Sequence, residues 1–318
     1  MKALYRDVLL KTRVFWLGLL VSLALTACAG APPPTPTPTQ SPPTPAPTPG
    51  APGIPHTRIP FLSFGTWQKD VTYCQDGNVA LKMDVLYPNA TLGAAAPVAV
   101  FLHTMGGTKD EVEVTATEEL LKRGYVVVAP DWRRPPDATL TTAIGDAKCA
   151  IRHLRANAGI YHIDPNRIGV WGCSFGGSLA ALLGLTNADA GLEGSSGFSD
   201  QSSRAKAVVA RDLDVFSRLE WKLPSDLQQY FGVSSADDPA FAKASPLIYV
   251  SKDSPPFLIL HSDMGSTGDT QLYDKLKAAG APATFVEITE SGHCEGFGNP
   301  TRAERAKMIA DFFDQNLK

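Results

Sequence analysis

The chain has 318 residues, which is enough for one large domain or two small ones. Hydrophobic residues make up 44% of it and charged residues 19%, so there is sufficient apolar material for a buried core. The formal net charge of −3 lacks the basic excess that a nucleic-acid-binding surface needs, and no nucleic-acid partner is expected.

Residues 1–27 have the pattern of an export signal. Four Lys or Arg residues precede an uncharged apolar run at residues 14–25, whose 12 residues are too few to span a bilayer. The run ends in Leu-Thr-Ala-Cys, which resembles a bacterial lipobox and implies cleavage before Cys28 and a lipid on its sulfur. The alternative is an ordinary signal peptide followed by a chance cysteine.

Residues 28–55 are predicted to be a lipid-anchored spacer. This stretch holds 12 of the 26 prolines, mixed with Thr, Ala and Gly, and such a composition favours an extended, semi-stiff chain over a packed core. We therefore expect one globular domain at residues 56–318, outside the cytoplasm. The lipid on Cys28 would attach it to the bacterial cell membrane.

Short apolar runs alternate with longer amphipathic segments from residue 67 onward. This alternation predicts an α/β domain with a mostly parallel sheet flanked by helices. Strands are predicted at residues 81–87, 98–103, 125–129, 168–171, 205–210, 257–260 and 284–288. Helices are predicted at residues 111–123, 141–158, 175–185, 270–279 and 302–316, and a turn at residues 164–166.

The strongest motif is Gly-Cys-Ser-Phe-Gly at residues 172–176, between a predicted strand and a predicted helix. A nucleophile on a tight strand-to-helix turn needs small flanking residues, because the strained backbone leaves no room for side chains. Ser174 is therefore the candidate nucleophile. The alternative is a glycine-rich turn that serves only close packing.

Three segments carry a family resemblance: residues 163–184 around this motif, residues 130–158 before it and residues 244–261 after it. They resemble the α/β-hydrolase esterases, in the branch with carbohydrate and feruloyl esterases, near the hormone-sensitive-lipase-like and dienelactone-hydrolase-like groups. The resemblance extends from about residue 79 to the C-terminus. It implies an eight-stranded sheet, a Ser-His-Asp triad acting through an acyl-enzyme, and no cofactor.

The candidate base is His293, in the sequence Glu-Ser-Gly-His between the last predicted strand and the last predicted helix. The chain order, serine before histidine, agrees with this fold. His103 also ends a predicted strand near the site. Its position matches the oxyanion-loop histidine of the family, which implies a structural role.

The acid of the triad is less well defined. Gly265 occupies the position where relatives carry this aspartate, and the loop before the following predicted helix is short. Asp263 is the leading candidate. Asp269 is the second, and Asp212 or Asp214 after the sixth strand of the fold is the third. The alternative for Asp263 is a carboxylate that only caps the loop.

The oxyanion loop also departs from the family, since His103 is followed by Thr-Met-Gly-Gly in place of a glycine-rich run. By position, the backbone N–H groups of Met105 and Phe175 should hold the oxyanion. Thr104 could supply the donor in place of Met105.

Cys173 directly precedes Ser174, and Cys294 directly follows His293. A working triad brings these neighbours close together. The arrangement resembles that of tannases and fungal feruloyl esterases, which implies a disulfide between the two cysteines; the alternative is two buried free thiols. No zinc-type spacing of cysteine and histidine is present, so no metal is expected.

These patterns together predict an extracytoplasmic serine esterase acting on small or polysaccharide-linked esters. Acetyl or feruloyl esters of plant polysaccharides are the candidate substrates. A peptidase of the prolyl-oligopeptidase type and a non-catalytic binding protein derived from an esterase are the alternatives.

Overall fold

The computed structural model describes residues 65–89, 95–134, 138–214, 228, 231–233 and 238–318. The predicted export signal, the anchor Cys28 and the proline-rich spacer lie outside these residues. No described helix is both long enough and apolar enough to cross a membrane.

The described chain is built on one eight-stranded sheet, with the strand order β1-β2-β4-β3-β5-β6-β7-β8. β1 pairs antiparallel with β2, and β2 with β4, whereas every other pair is parallel. The predicted eight-stranded, mostly parallel sheet is confirmed. The strands are β1 (Gly65–Asp76), β2 (Val79–Pro88), β3 (Ala96–Leu102), β4 (Val126–Pro130), β5 (Ile163–Cys173), β6 (Ala207–Arg211), β7 (Phe257–Ser262) and β8 (Ala283–Ile288).

The helices flank this sheet, as the alternation predicts. They are α1 (Val114–Lys122), α2 (Leu140–Ala156), α3 (Ala158–Tyr161), α4 (Phe175–Leu185), α5 (Pro239–Lys243), α6 (Gly268–Ala278) and α7 (Arg302–Leu317). The predicted helix at residues 111–123 begins later than expected, because a separate 3₁₀ turn occupies Lys109–Glu111.

Two apolar layers cover the two faces of the sheet. On one face α1 and α7 contribute Leu120 and Phe313, and on the other α2 and α4 contribute Ile151 and Leu182. Every residue of β3 and β4 is buried. Strands buried on both faces have continuous apolar sequences, which is why these two were readily predicted.

The predicted turn at residues 164–166 is instead a bulge within β5. Ala96 of β3 pairs with Ile163 and Val98 pairs with Ile168, so five steps along β5 lie against two along β3. The Asn166 N–H donates to the Asp164 carboxylate at 2.8 Å, a local bond of the kind that makes Asp frequent in turns.

The order of the strands locates a candidate site. The chain passes from β3 outward to β4 and then returns to β5 on the other side of β3. In open parallel sheets, ligands bind at such a reversal, beyond the carboxyl ends of the strands. His103 follows β3 and Ser174 follows β5, so both begin at this edge.

Candidate active site

Ser174 lies on a strained turn between β5 and α4. Its backbone has φ 56° and ψ −128°, a conformation that non-glycine residues rarely adopt. Its N–H donates to the carbonyl of Arg211 at the end of β6, at 2.9 Å. The next residue, Phe175, begins α4, so Ser174 lies at the helix end that carries partial positive charge.

Glycines 172 and 176 are required here because of close backbone approach. A Cβ on Gly172 would lie 2.5 Å from the Gly176 carbonyl group and 2.7 Å from the Leu102 carbonyl oxygen. A Cβ on Gly176 would overlap that same Leu102 oxygen. The motif therefore lets the turn carrying Ser174 pack directly against the end of β3.

The loop after β3 is held by a buried histidine. His103 is 1% exposed and stacks on Trp132, with ring centroids 4.7 Å apart and an interplanar angle of 8°. Its Nδ1 lies 2.8 Å from the Thr104 carbonyl oxygen, and burial lowers its pKa. Its environment suits the structural role that the sequence suggested.

Met105 and Phe175 are the residues expected to hold an oxyanion, and both lie at the same edge of the sheet. Met105 is in the loop after β3 and packs against the apolar core. The ring of Phe175 is buried between Trp132 and Phe231, at centroid distances of 4.8 Å and 6.1 Å. Because Trp132 also stacks on His103, its ring connects the first turn of α4 to the start of the loop after β3.

His293 lies on the loop between β8 and α7, and its side chain is exposed. Within the described part of the chain, its ring makes no hydrogen bond to a carboxylate. The backbone of the loop is held on both sides of it. The Glu290 N–H donates to Asp263 at 2.5 Å, and the Cys294 N–H donates to Asp212 at 2.7 Å.

A disulfide joins Cys173 to Cys294, with Cα atoms 5.9 Å apart. The bridge links the residue before Ser174 to the residue after His293, across 121 positions of sequence. Cys74 and Cys149 form a second bridge between β1 and α2, a pairing that could not be predicted from sequence.

Among the candidate acids, Asp212 is fully buried, as Asp269 is, and lies within a hydrogen-bond network. It is 0% exposed and accepts hydrogen bonds from the N–H and hydroxyl of Ser262, at 2.9 Å and 2.8 Å, in addition to the bond from Cys294. The Cys173 Sγ lies 3.8 Å from the same carboxylate. Asp212 therefore contacts the neighbours of both Ser174 and His293.

The other three candidate acids have different partners. Asp263 is exposed and accepts a hydrogen bond from the Glu290 N–H of the histidine loop. Asp269 is buried and pairs with His261 at 3.0 Å, and burial raises its pKa to about 7. Asp214 interacts with Ser178 through its backbone N–H and carbonyl.

The position of the family acid is filled by other side chains. A Cβ on Gly265 would lie 2.6 Å from His261 Nδ1 and 2.8 Å from Asp212 Oδ1. An aspartate at 265 would therefore collide with the two groups. The sequence pointed to the loss at Gly265, but it did not indicate that His261 occupies the space.

Among the described residues, two sets of side chains bring metal-ligating atoms within 4.8 Å of one another. One contains Cys173 and Cys294, whose sulfurs are joined in the disulfide. The other is Asp212, His261 and Asp269, in which the imidazole and the Asp269 carboxylate already bind each other. Both sets have their own covalent or hydrogen-bonded partners.

Comparison with known proteins agrees with this geometry. The chain is 26% identical to esterase LipQ of Mycobacterium tuberculosis over 81% of its own length and 65% of LipQ. It spans 60% of the probable carboxylic ester hydrolase LipM of the same organism, at 27% identity over 77% of its own length. The chain thus covers less than two thirds of these relatives.

Solved structures also match, and this chain covers nearly all of one of them. A truncated carbohydrate esterase from gut microbiota matches with a TM-score of 0.65 and 27% identity, over 80% of this chain and 96% of the other. A bifunctional GH43-CE protein of Bacteroides eggerthii matches with a TM-score of 0.70 and 26% identity, over 79% and 38% respectively. Residues 83–277, which include Ser174 and all of the sheet from β3 to β7, match the BD-FAE family. The chain belongs to the BD-FAE family of α/β-hydrolase-fold esterases.

Proposed function

We propose that this protein hydrolyses carboxylic esters, with Ser174 as nucleophile and His293 as general base. The observation that carries the proposal is the disulfide-linked pair of loops: Ser174 sits on a strained turn at a helix N-terminus, and one bridge ties it to the histidine loop. A non-catalytic binding protein would need neither a strained turn at Ser174 nor a bridge from that turn to the histidine loop.

The reaction follows from these positions. The Ser174 hydroxyl attacks the ester carbonyl carbon, and the His293 ring takes the hydroxyl proton. The backbone N–H groups of Met105 and Phe175 stabilise the negative oxygen of the tetrahedral intermediate. The intermediate collapses when His293 returns the proton to the leaving alcohol. Water then attacks the acyl-enzyme by the same steps and releases the acid.

We assign the acid of the triad to Asp212 in preference to Asp263. A triad carboxylate is buried, held by hydrogen bonds, and positioned to orient the histidine and stabilise its cation. Asp212 is buried, and its bond to the Cys294 N–H places it beside the histidine residue. Asp263 is exposed, so water would screen its charge. The assignment requires the exposed His293 ring to bind Asp212, a bond that is not made among the described residues.

The substrate class and the location belong to the same proposal. The candidate substrates are acetyl or feruloyl esters of plant polysaccharides, and the carbohydrate esterase among the structural neighbours supports an ester carried by a carbohydrate. Attachment to the outside of the bacterial membrane is supported by the lipobox-like sequence ending at Cys28 and by the proline-rich spacer after it.

An active-site-directed fluorophosphonate probe tests the mechanism. The wild type should be labelled and should hydrolyse short-chain nitrophenyl esters, whereas Ser174→Ala should lose both properties. Ser202→Ala changes an exposed serine and is the matched control. Labelling retained in Ser174→Ala would refute the nucleophile. A folded wild type without labelling or turnover would favour the binding-protein alternative.

The anchor has a separate test. Cys28→Ser should move the protein from the membrane fraction to the soluble fraction or block its processing, while the turnover of residues 56–318 is retained. A wild type that is secreted freely, without Cys28 at its mature N-terminus, would refute the lipobox interpretation.

A further inference from the structure

The two oxygens of the Asp212 carboxylate have different hydrogen-bond partners. Its Oδ1 accepts both the N–H and the hydroxyl of Ser262, at 2.9 Å and 2.8 Å. Its Oδ2 accepts the N–H of Cys294, at 2.7 Å. Asp212 and Ser262 are both 0% exposed, so these hydrogen bonds are shielded from water. One oxygen is therefore bound to the end of β7, and the other is bound to the histidine loop.

The sheet brings Ser262 to this carboxylate at the point where β6 and β7 end. Arg211 pairs with Leu260 in the register of the two strands, and the Asp212 N–H extends the ladder by donating to the Leu260 carbonyl at 3.1 Å. Asp212 then leaves the strand with a φ of 47°, in the left-handed region. Residues other than glycine keep such a backbone where surrounding contacts hold it, and they cluster at functional sites.

The turn after β7 closes over the same carboxylate oxygen. The Gly265 N–H donates to the Ser262 carbonyl at 2.7 Å, and a Cβ on Gly265 would lie 2.8 Å from Asp212 Oδ1. A larger residue at 265 would therefore push against the oxygen that Ser262 binds. The small residue at 265 and the hydroxyl at 262 together let Oδ1 accept two hydrogen bonds from one residue.

The acceptor sites of the Asp212 carboxylate are unequally occupied. A carboxylate has about four such sites, two on each oxygen. Ser262 fills both sites on Oδ1, and the Cys294 N–H fills one site on Oδ2. Arg211 Nε lies 3.3 Å from Oδ2 as an ion pair but makes no hydrogen bond among the described residues, and the bridged Cys173 Sγ carries no proton. Within that part of the chain, the remaining acceptor site is thus on the oxygen that faces the histidine loop.

We propose that Ser262 is a positioning residue of the triad, which turns Asp212 Oδ2 toward the histidine loop by occupying Oδ1. In that orientation Oδ2 can accept the ring N–H of His293, fix its tautomer and stabilise its cation in the transition state. Without the Ser262 hydroxyl, Oδ1 keeps only the backbone N–H, and the carboxylate is freer to rotate away from the loop. The inference rests on the proposed function, in which Asp212 is the acid.

Ser262→Ala tests this role, because it removes the hydroxyl and keeps the backbone N–H. Its kcat on a nitrophenyl ester should fall about tenfold, the effect of losing one hydrogen bond to a charged group, with KM changed by less than about twofold. Ser203→Ala is the matched control, since it removes a buried hydroxyl that donates to the Glu193 carboxylate at 2.8 Å. The control should retain wild-type kcat.

A double-mutant cycle separates this role from a merely structural one. In the Asp212→Asn background, Ser262→Ala should lower kcat no further, because the carboxylate that Ser262 positions is already absent. The same fold loss in both backgrounds, or wild-type kcat in folded Ser262→Ala, would overturn the inference. Ser262→Gly makes the same deletion and replaces Ser262→Ala if that variant does not fold. Retained activity in Asp212→Asn would instead refute the proposed acid, and a wild type without turnover would refute the esterase activity.

Discussion

Replacing Asp212 by Asn tests the least conventional part of the proposed triad. The amide keeps one oxygen for Ser262, but its NH₂ group then faces the Cys294 N–H, and the ion pair with Arg211 is lost. Breaking a buried charge interaction from one side costs about 3–5 kcal/mol of unfolding free energy. Loss of the orienting carboxylate should lower kcat by about 10⁴-fold, on the precedent of other triads.

The assay measures both quantities on the same variants. Unfolding in urea gives the stability, and kcat on a nitrophenyl ester is measured where circular dichroism shows the folded state. Asp269→Asn is the matched control, since Asp269 is equally buried but pairs with His261. It should lose stability yet retain more than about a tenth of kcat. Asp212→Asn with more than about a tenth of wild-type kcat, or Asp263→Asn with the larger loss, would refute the assignment.

Three further outcomes are expected. Gly176→Ala would push the turn that carries Ser174 away from the end of β3. Steady-state kinetics should therefore show a kcat about 100-fold lower. A wild-type kcat would contradict the close approach of Gly176 to the Leu102 carbonyl. Cys294→Ser should lower the unfolding free energy, measured by urea denaturation, by about 2–5 kcal/mol, because the Cys173–Cys294 bridge joins residues 121 positions apart. An unchanged unfolding free energy would contradict the stabilising role of the bridge. Burial raises the pKa of Asp269 to about 7, so between about pH 4 and pH 7 the folded state retains a proton that the unfolded state has released. Unfolding free energy measured in buffered urea should fall by up to about 1.4 kcal/mol per pH unit as the pH rises toward 7, and Asp269→Asn should flatten that slope.

The sequence predicted the elements whose signals are local. The G-x-S-x-G turn and the continuous apolar runs of β3 and β4 depend on neighbouring residues, and helix α4 was predicted with both of its observed ends. β1 was missed because two register shifts break its alternation of buried and exposed residues.

The acid was harder to predict because it depends on contacts between distant residues. Asp212 and Cys294 are 82 positions apart, and no spacing in the sequence shows that they bind. The sequence shows that Gly265 replaces the aspartate of relatives. It does not show that His261 and Asp212 fill the space where that aspartate side chain would lie. Such packing is a property of the sheet order, which places β6 and β7 side by side.

The bridge between Cys173 and Cys294 also affects the order in which parts of the protein unfold. Loops at active sites usually open before the core does, because few apolar contacts hold them. Here the loop that carries His293 is covalently tied to the end of a central strand, so it cannot detach while β5 remains in the sheet. Loss of turnover in rising urea should therefore coincide with global unfolding in the oxidised protein and precede it in the reduced one.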